Sequence, residues 1–169
     1  MPSIAVLGLG NTLMRDDGVG ARALCDLARR YALPTTVRLI DSAAPMARLM
    51  AEVEGIDHLV VVDVVRGGQA PGTVYHMEQV GLEPHAAGGR AACSSHGVGL
   101  ADLCALLSAL GRCPEIRIIG VEAGELNCAG LELSGPVAAA LPRVVEAVVE
   151  ELRRLGVAVE EREAARRHA

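Results

Sequence analysis

Short aliphatic runs that stop at glycine or aspartate, separated by stretches with apolar residues at helical spacing, are the feature that most restricts the fold of this chain. Ser3 to Leu7 runs into Gly8-Leu9-Gly10-Asn11, the length and breaker pattern of a buried strand leaving a sheet. Val19, Ala23, Leu24, Leu27 and Ala28 then recur near helical spacing up to Tyr31, and Pro34 closes the segment. Thr36 to Ile40 is β-rich and stops at Asp41, Ala44 to Val53 is helical in pattern, and His58 to Val65 places Leu59-Val60-Val61-Val62 ahead of Asp63. Further strands are predicted over Thr73 to Met77 and Glu115 to Val121, and helices over Val98 to Leu110 and from about Pro136 to Leu155. This alternation predicts an α/β fold with a mostly parallel sheet of about five strands, since right-handed crossovers lay each helix back onto one face or the other.

The core that such a sheet needs is available. A chain of 169 residues matches one domain and buries roughly 70% of the surface that its unfolded form exposes. There is no Phe or Trp and there are only two Tyr, so the core is built from Ala, Val, Leu, Ile and Met, which suits buried parallel strands. The same shortage of rings removes a stacking platform for single-stranded nucleic acid, and the net charge of −5 opposes a phosphate backbone, so nucleic acid is not expected as a partner. All sixteen cationic side chains are Arg, a genome-level bias without functional weight. The five cysteines are odd in number and lack a C-x-x-C pair, which indicates neither a disulfide framework nor a thiolate zinc site and predicts a reducing, cytoplasmic compartment. No apolar stretch reaches the roughly 20 residues that span a bilayer, and no basic segment precedes the first apolar run, so neither membrane insertion nor export is expected. One domain over residues 1–159 is predicted, with a charged, mobile tail over 160–169. Gly81 to Gly97 reads as a long irregular stretch.

In open α/β sheets, ligands sit beyond the carboxyl ends of the strands. Asp16-Asp17, Asp41 and Asp63 all fall there. The segment from Gly8 to Gly20 first suggests a dinucleotide loop, with Asp41 available to a ribose. Leu13 occupies the third glycine position, however, and two carboxylates stand before the helix where a pyrophosphate needs positive potential. Helix capping accounts for one of that pair. Asp63, inside a strand pattern, loses hydration unless something pairs with it, and a backbone-bonded cap is the structural alternative. If Asp17 and Asp63 converge to about 4 Å, their repulsion at an effective dielectric near 20 is about 4 kcal/mol, which calls for a cation or a shared proton. His96 either caps the following helix or joins them. Together Asp17, Asp63 and His96 offer two hard oxygens and one imidazole nitrogen, a set suited to a borderline divalent metal with open positions. Cys93 lies three residues before His96, but a small buried hydrophobe is the commoner role for a free cysteine. His58, His76 and His85 read as structural or solvent-facing.

Gly8-Leu9-Gly10-Asn11 with Asp16-Asp17-Gly18-Val19-Gly20, then Val61-Val62-Asp63, then Ser95-His96-Gly97-Val98-Gly99-Leu100-Ala101-Asp102 resemble the hydrogenase maturation endopeptidases. These remove a C-terminal peptide from the large subunit of NiFe hydrogenase after nickel insertion. The resemblance runs from about Ile4 to Leu155. It implies a three-layer α/β/α sandwich, a large-subunit precursor as partner, and Asp17, Asp63 and His96 as the metal-contacting residues. The metal it implies is nickel supplied by the substrate, with no organic cofactor. Asp41 occupies the place of another acidic residue of the family, at the head of a glycine-rich motif. Many members read Asp-Gly-Gly-Thr there, whereas this chain reads Asp41-Ser42-Ala43-Ala44-Pro45, which is stiffer at the proline and less tolerant of positive φ. A proline at this place resembles the variant in proteases that serve soluble, cofactor-reducing hydrogenases.

Peptide cleavage needs an activated water. Either the metal polarises it, or a carboxylate acts as general base in the manner of an aspartyl protease, with Asp41 the spare candidate. A monomer is expected, because no apolar stripe exceeds the needs of the core. Two other readings compete: a non-proteolytic chaperone for the metallated precursor, and the dinucleotide-binding domain.

Overall fold

The computed structural model describes residues 2–41, 46–78, 105, 107–109, 111 and 113–162. The aliphatic runs become strands β1 (Ile4–Gly8), β3 (Val37–Asp41), β4 (His58–Val65), β5 (Val74–Glu78) and β6 (Glu115–Glu122) of one five-stranded sheet. Its order is β3-β1-β4-β6-β5, with every pairing parallel except that of β5 with β6. The predicted α/β architecture is thus observed, with one antiparallel edge strand. Every residue of β1 is buried, as is every residue of β4 after His58. Both strands occupy the middle of the sheet and are covered on both faces, which is why they read as continuous apolar runs and not as alternating ones.

The helices sort onto the two faces through strand periodicity. Ile4 and Val6 of β1, Val60, Val62 and Val64 of β4, and Ile119 and Val121 of β6 pack under α1 (Val19–Arg30) and α3 (Gly135–Arg154). Ala5 and Leu7, Leu59 and Val61, and Ile116 form the opposite core with Leu49 and Val53 of α2 (Met46–Val53) and with Leu107. Helix α3 opens with Pro136 in its first turn, where the missing N–H has no partner to lose. The helix predicted over Val98 to Leu110 lies largely outside the described residues; 105 and 107–109 are helical. Among the described residues, no helix is long and apolar enough to cross a membrane.

One boundary is corrected. The charged tail expected from residue 160 starts instead as a short strand, β7 (Glu160–Glu161), which pairs antiparallel with β2 (Tyr31–Ala32) at the end of α1. The Arg162 amide donates to Arg30 O at 2.8 Å, and its Nε donates to Tyr31 O at 3.1 Å. Val157 and Val159 pack against the core under α1 and α3 and deliver the chain to this edge. A two-residue pairing leaves no hydrophobic period to read in a sequence.

Candidate active site

The site begins where β1 ends and α1 starts, and glycines decide how close the two come. A Cβ on Gly8 would stand 2.6 Å from the carbonyl group of Gly20, and one on Gly20 would stand 2.7 Å from Val62 O. Gly10 has φ +107°, and a Cβ there would run into the Asp17 carbonyl. The glycines that suggested a dinucleotide loop therefore serve backbone-to-backbone packing within the chain, and the space above them holds the 3-10 turn Arg15–Gly18.

That turn carries Asp17, 5% exposed, whose Oδ2 accepts a hydrogen bond from the Asn11 amide at 2.9 Å. Asp63 is 0% exposed, and its Oδ1 accepts from the Val64 amide at 2.8 Å. The Leu9 amide donates to Val62 O at 2.9 Å, so the backbone just before Asp63 is bonded to the residue preceding Gly10, on which Asp17 packs. The fold thus brings these two predicted residues to one corner, at the carboxyl end of β1. Carboxylates removed from water are costly unless compensated, and two oxygen donors in such a corner suit a hard or borderline divalent cation. Among the described residues, no group of three His, Cys, Asp or Glu forms a metal cage. His96 and Cys93 lie outside the described residues, as does His85.

Asp41 is placed differently. It is exposed at the end of β3, in register with Gly8, which is itself in register with Val62. Its row belongs to the α1 and α3 face, whereas Asp63, one residue on from Val62, belongs to the α2 face. Of the histidines among the described residues, His58 Nδ1 lies 3.4 Å from Glu115 Oε2, and His76 is exposed on β5.

Two carboxylates near this corner have roles that the sequence did not reveal. Asp16 is not a helix cap. It is fully buried, and its Oδ2 accepts from the Gly124 amide at 2.8 Å, the Glu125 amide at 2.6 Å and the Ser134 hydroxyl at 2.9 Å, while Oδ1 accepts from the Ser134 amide at 2.6 Å. It ties the turn holding Asp17 to the loop between β6 and α3. Arg15, at φ +46°, strengthens that tie through its amide to Gly130 O at 2.8 Å and its guanidinium to Glu125. The doublet Asp16-Asp17 was the available signal, and it divides into one brace and one presented carboxylate.

Glu122 is the second. It is buried at the end of β6, where Oε2 accepts from the Tyr75 hydroxyl at 2.5 Å, the Gly67 amide at 2.8 Å and the Gln69 amide at 3.2 Å. Burial alone would raise its pKa, but the hydrogen bonds from Tyr75 and from the amides of Gly67, Gln69 and Gly68 outweigh it and hold the carboxyl below the ordinary glutamate range. Burial, and then the hydrogen bond to Glu122 and its charge, push the Tyr75 hydroxyl up.

A family model described as hydrogenase maturation protease matches residues 22–151. The hydrogenase expression/formation protein HoxM of Azotobacter vinelandii is 36% identical over 157 residues, covering 92% of this chain and 75% of the relative. The hydrogenase 2 maturation protease of Escherichia coli K12 is 32% identical over 163 residues, covering 95% of this chain and 97% of the relative. Among solved structures, the hydrogenase maturating endopeptidase HybD of E. coli superposes with a TM-score of 0.79 at 29% identity, covering 97% of this chain and 99% of that one. The NiFe hydrogenase maturation protease HybD of Thermococcus kodakarensis gives 0.69 at 32% identity, covering 90% and 99%.

Proposed function

The chain belongs to the hydrogenase maturation protease family, and from that premise we propose that it removes the C-terminal peptide of a NiFe hydrogenase large-subunit precursor once nickel is seated, with the substrate's own nickel read by Asp17, Asp63 and His96. The observation that carries this reading is the pair of buried carboxylates at the end of β1, each steadied by a backbone amide. Nickel on a loaded precursor gives these oxygen donors a divalent cation to contact, and a nickel-free precursor does not. Recognition is then a check that loading is complete.

In the cut, water adds to the scissile carbonyl and the C–N bond breaks, with the departing amine taking a proton. The water is either polarised by the substrate's metal or deprotonated by Asp41 as general base. Docking of a folded partner is supported by Leu13 and Leu131, which are 60% and 64% exposed. Both stand at the Asp17 turn, where the Gly130 amide donates to Leu13 O at 2.9 Å. Free thiols at Cys25, Cys113 and Cys128 support a reducing compartment, which the cytoplasm provides.

Incubation of the purified protein with nickel-loaded and nickel-free precursor, followed by intact mass, tests the reading. Shortening of the loaded form alone is expected; equal cleavage of both defeats nickel sensing, and binding without shortening returns the chaperone reading. Asp17→Asn, Asp63→Asn and His96→Gln should each abolish processing while the circular dichroism spectrum is retained, and activity in any one removes that residue from the cluster.

A further inference from the structure

A pocket of about 440 Å³ opens between Arg66, Gly67 and Gly68 on one side and Ala123, Gly124 and Leu126 on the other, with Glu122 contributing to its lining. Three relationships tie it to the site. Val65 pairs with Glu122 two residues beyond the pairing of Asp63 with Gly120, so the pocket begins on the Asp63 face about 7 Å further along the strands. The opposite wall is held to the neighbour of Asp17, because the Gly124 amide donates to Asp16 Oδ2 at 2.8 Å. The near wall is preset by Glu122, whose Oε2 accepts from both Gly67 and Gln69 while the Tyr75 hydroxyl secures it from β5.

The lining has a definite chemistry. Arg66 is exposed and makes no ion pair among the described residues. Gly68 presents bare backbone, since a Cβ there would meet nothing within 4 Å. Leu126 adds a partly buried apolar surface. A planar cation beside open backbone and an apolar patch is complementary to an extended peptide that carries a carboxylate.

We propose that this pocket is a substrate subsite, in which Arg66 pairs with a carboxylate on the precursor segment next to the bond that is cut, and Glu122 is the positioning residue that holds the Arg66 loop in its binding shape. The inference rests on the processing function proposed above. It adds a determinant of which polypeptide is accepted, separate from the carboxylates that read the metal.

Two experiments test it. In steady-state processing of nickel-loaded precursor, Arg66→Ala should raise KM about tenfold, the scale of one lost hydrogen bond to a charged group, with kcat changed less than about twofold. Arg66→Lys should fall between the two, and Arg66→Glu should be rescued by a precursor whose acidic residues flanking the cut are changed to Lys. Glu122→Gln should raise KM without moving kcat, because it loosens the loop and leaves the reacting groups alone. An unchanged KM for Arg66→Ala, in a protein that still processes the precursor, overturns the proposal while the function stands.

The second experiment does not depend on cleavage. A synthetic peptide spanning the cut is titrated against the protein and against Arg66→Ala by fluorescence anisotropy, as the free acid, as the C-terminal amide, and with its acidic side chains changed to amides. Weaker binding to the variant supports the subsite, and the modification that removes the difference identifies the carboxylate that Arg66 holds. Equal binding of the free acid to both proteins overturns it, whether or not the precursor is processed.

Discussion

Helix α1 touches the strand that carries Asp63 through bare backbone: Gly20 lies so near Val62 that a Cβ on the glycine would stand 2.7 Å from the valine carbonyl oxygen. The separation between Asp17, at the start of the helix, and Asp63, one residue past Val62, is thereby set by a contact that no larger residue permits.

Gly20→Ala is therefore expected to push α1 off the sheet and destabilise the protein by about 1–3 kcal/mol, the usual cost of overpacking. Urea unfolding measures that loss. Processing measured well below the unfolding midpoint should fall further than the folded fraction does, because the two carboxylates move apart. Full activity in the folded fraction would show that their spacing is not critical.

Asp16→Ala leaves the buried amide and hydroxyl of Ser134, and the amides of the exposed residues Gly124 and Glu125, without their acceptor. A buried unsatisfied group costs about 1–3 kcal/mol, and the losses overlap, so a drop of about 2–3 kcal/mol in unfolding free energy is expected. Asp16→Asn keeps one acceptor oxygen and should fall between the two. A loss below about 0.5 kcal/mol for the alanine variant, the range of an ordinary surface change, would refute the brace.

Glu122 has a pH signature. Its folded pKa is held below the ordinary value near 4.5, so the stability it contributes is fully present above that value and is lost as pH falls through the folded pKa. The partners that set this are Tyr75 on β5 and the amides of the loop following β4. The stability difference between the parent and Glu122→Gln should be constant at neutral pH and shrink as pH is lowered below about 4.5. Urea midpoints across that range measure it, and a difference that widens toward acid pH would contradict the sign.

Leu13 and Leu131 are exposed and, in the proposed function, meet the precursor. The double change Leu13→Ser, Leu131→Ser should leave the unfolding free energy within about 0.5 kcal/mol of the parent and raise KM for the precursor. A stability loss with unchanged KM would reassign them to the core.

Much of this was readable without coordinates. The strands appear within one or two residues of their predicted bounds, with His58–Val65 matching at both ends, because a buried parallel strand must be a continuous apolar run and such runs stand out. Asp63 drew notice for the same reason, as a carboxylate inside one. The antiparallel direction of β5, the short pairing of Glu160–Glu161 with Tyr31–Ala32 and the structural brace at Asp16 left no comparable pattern. His96, expected as the third ligand, lies outside the described residues and rests on resemblance.

Alone, the sequence determined the fold class and the family, since hydrophobic period and motif spacing are local properties that any fold must respect. The motif already pointed to Asp17 of the two adjacent aspartates, but only the tertiary structure decided what Asp16 does: it is bonded to Gly124, Glu125 and Ser134, more than a hundred residues away. Glu122 was decided in the same way, by Tyr75 and the loop after β4. What a buried carboxylate does depends on which donors the folded chain brings to it, and those donors arrive from segments whose own sequence carries no sign of the meeting.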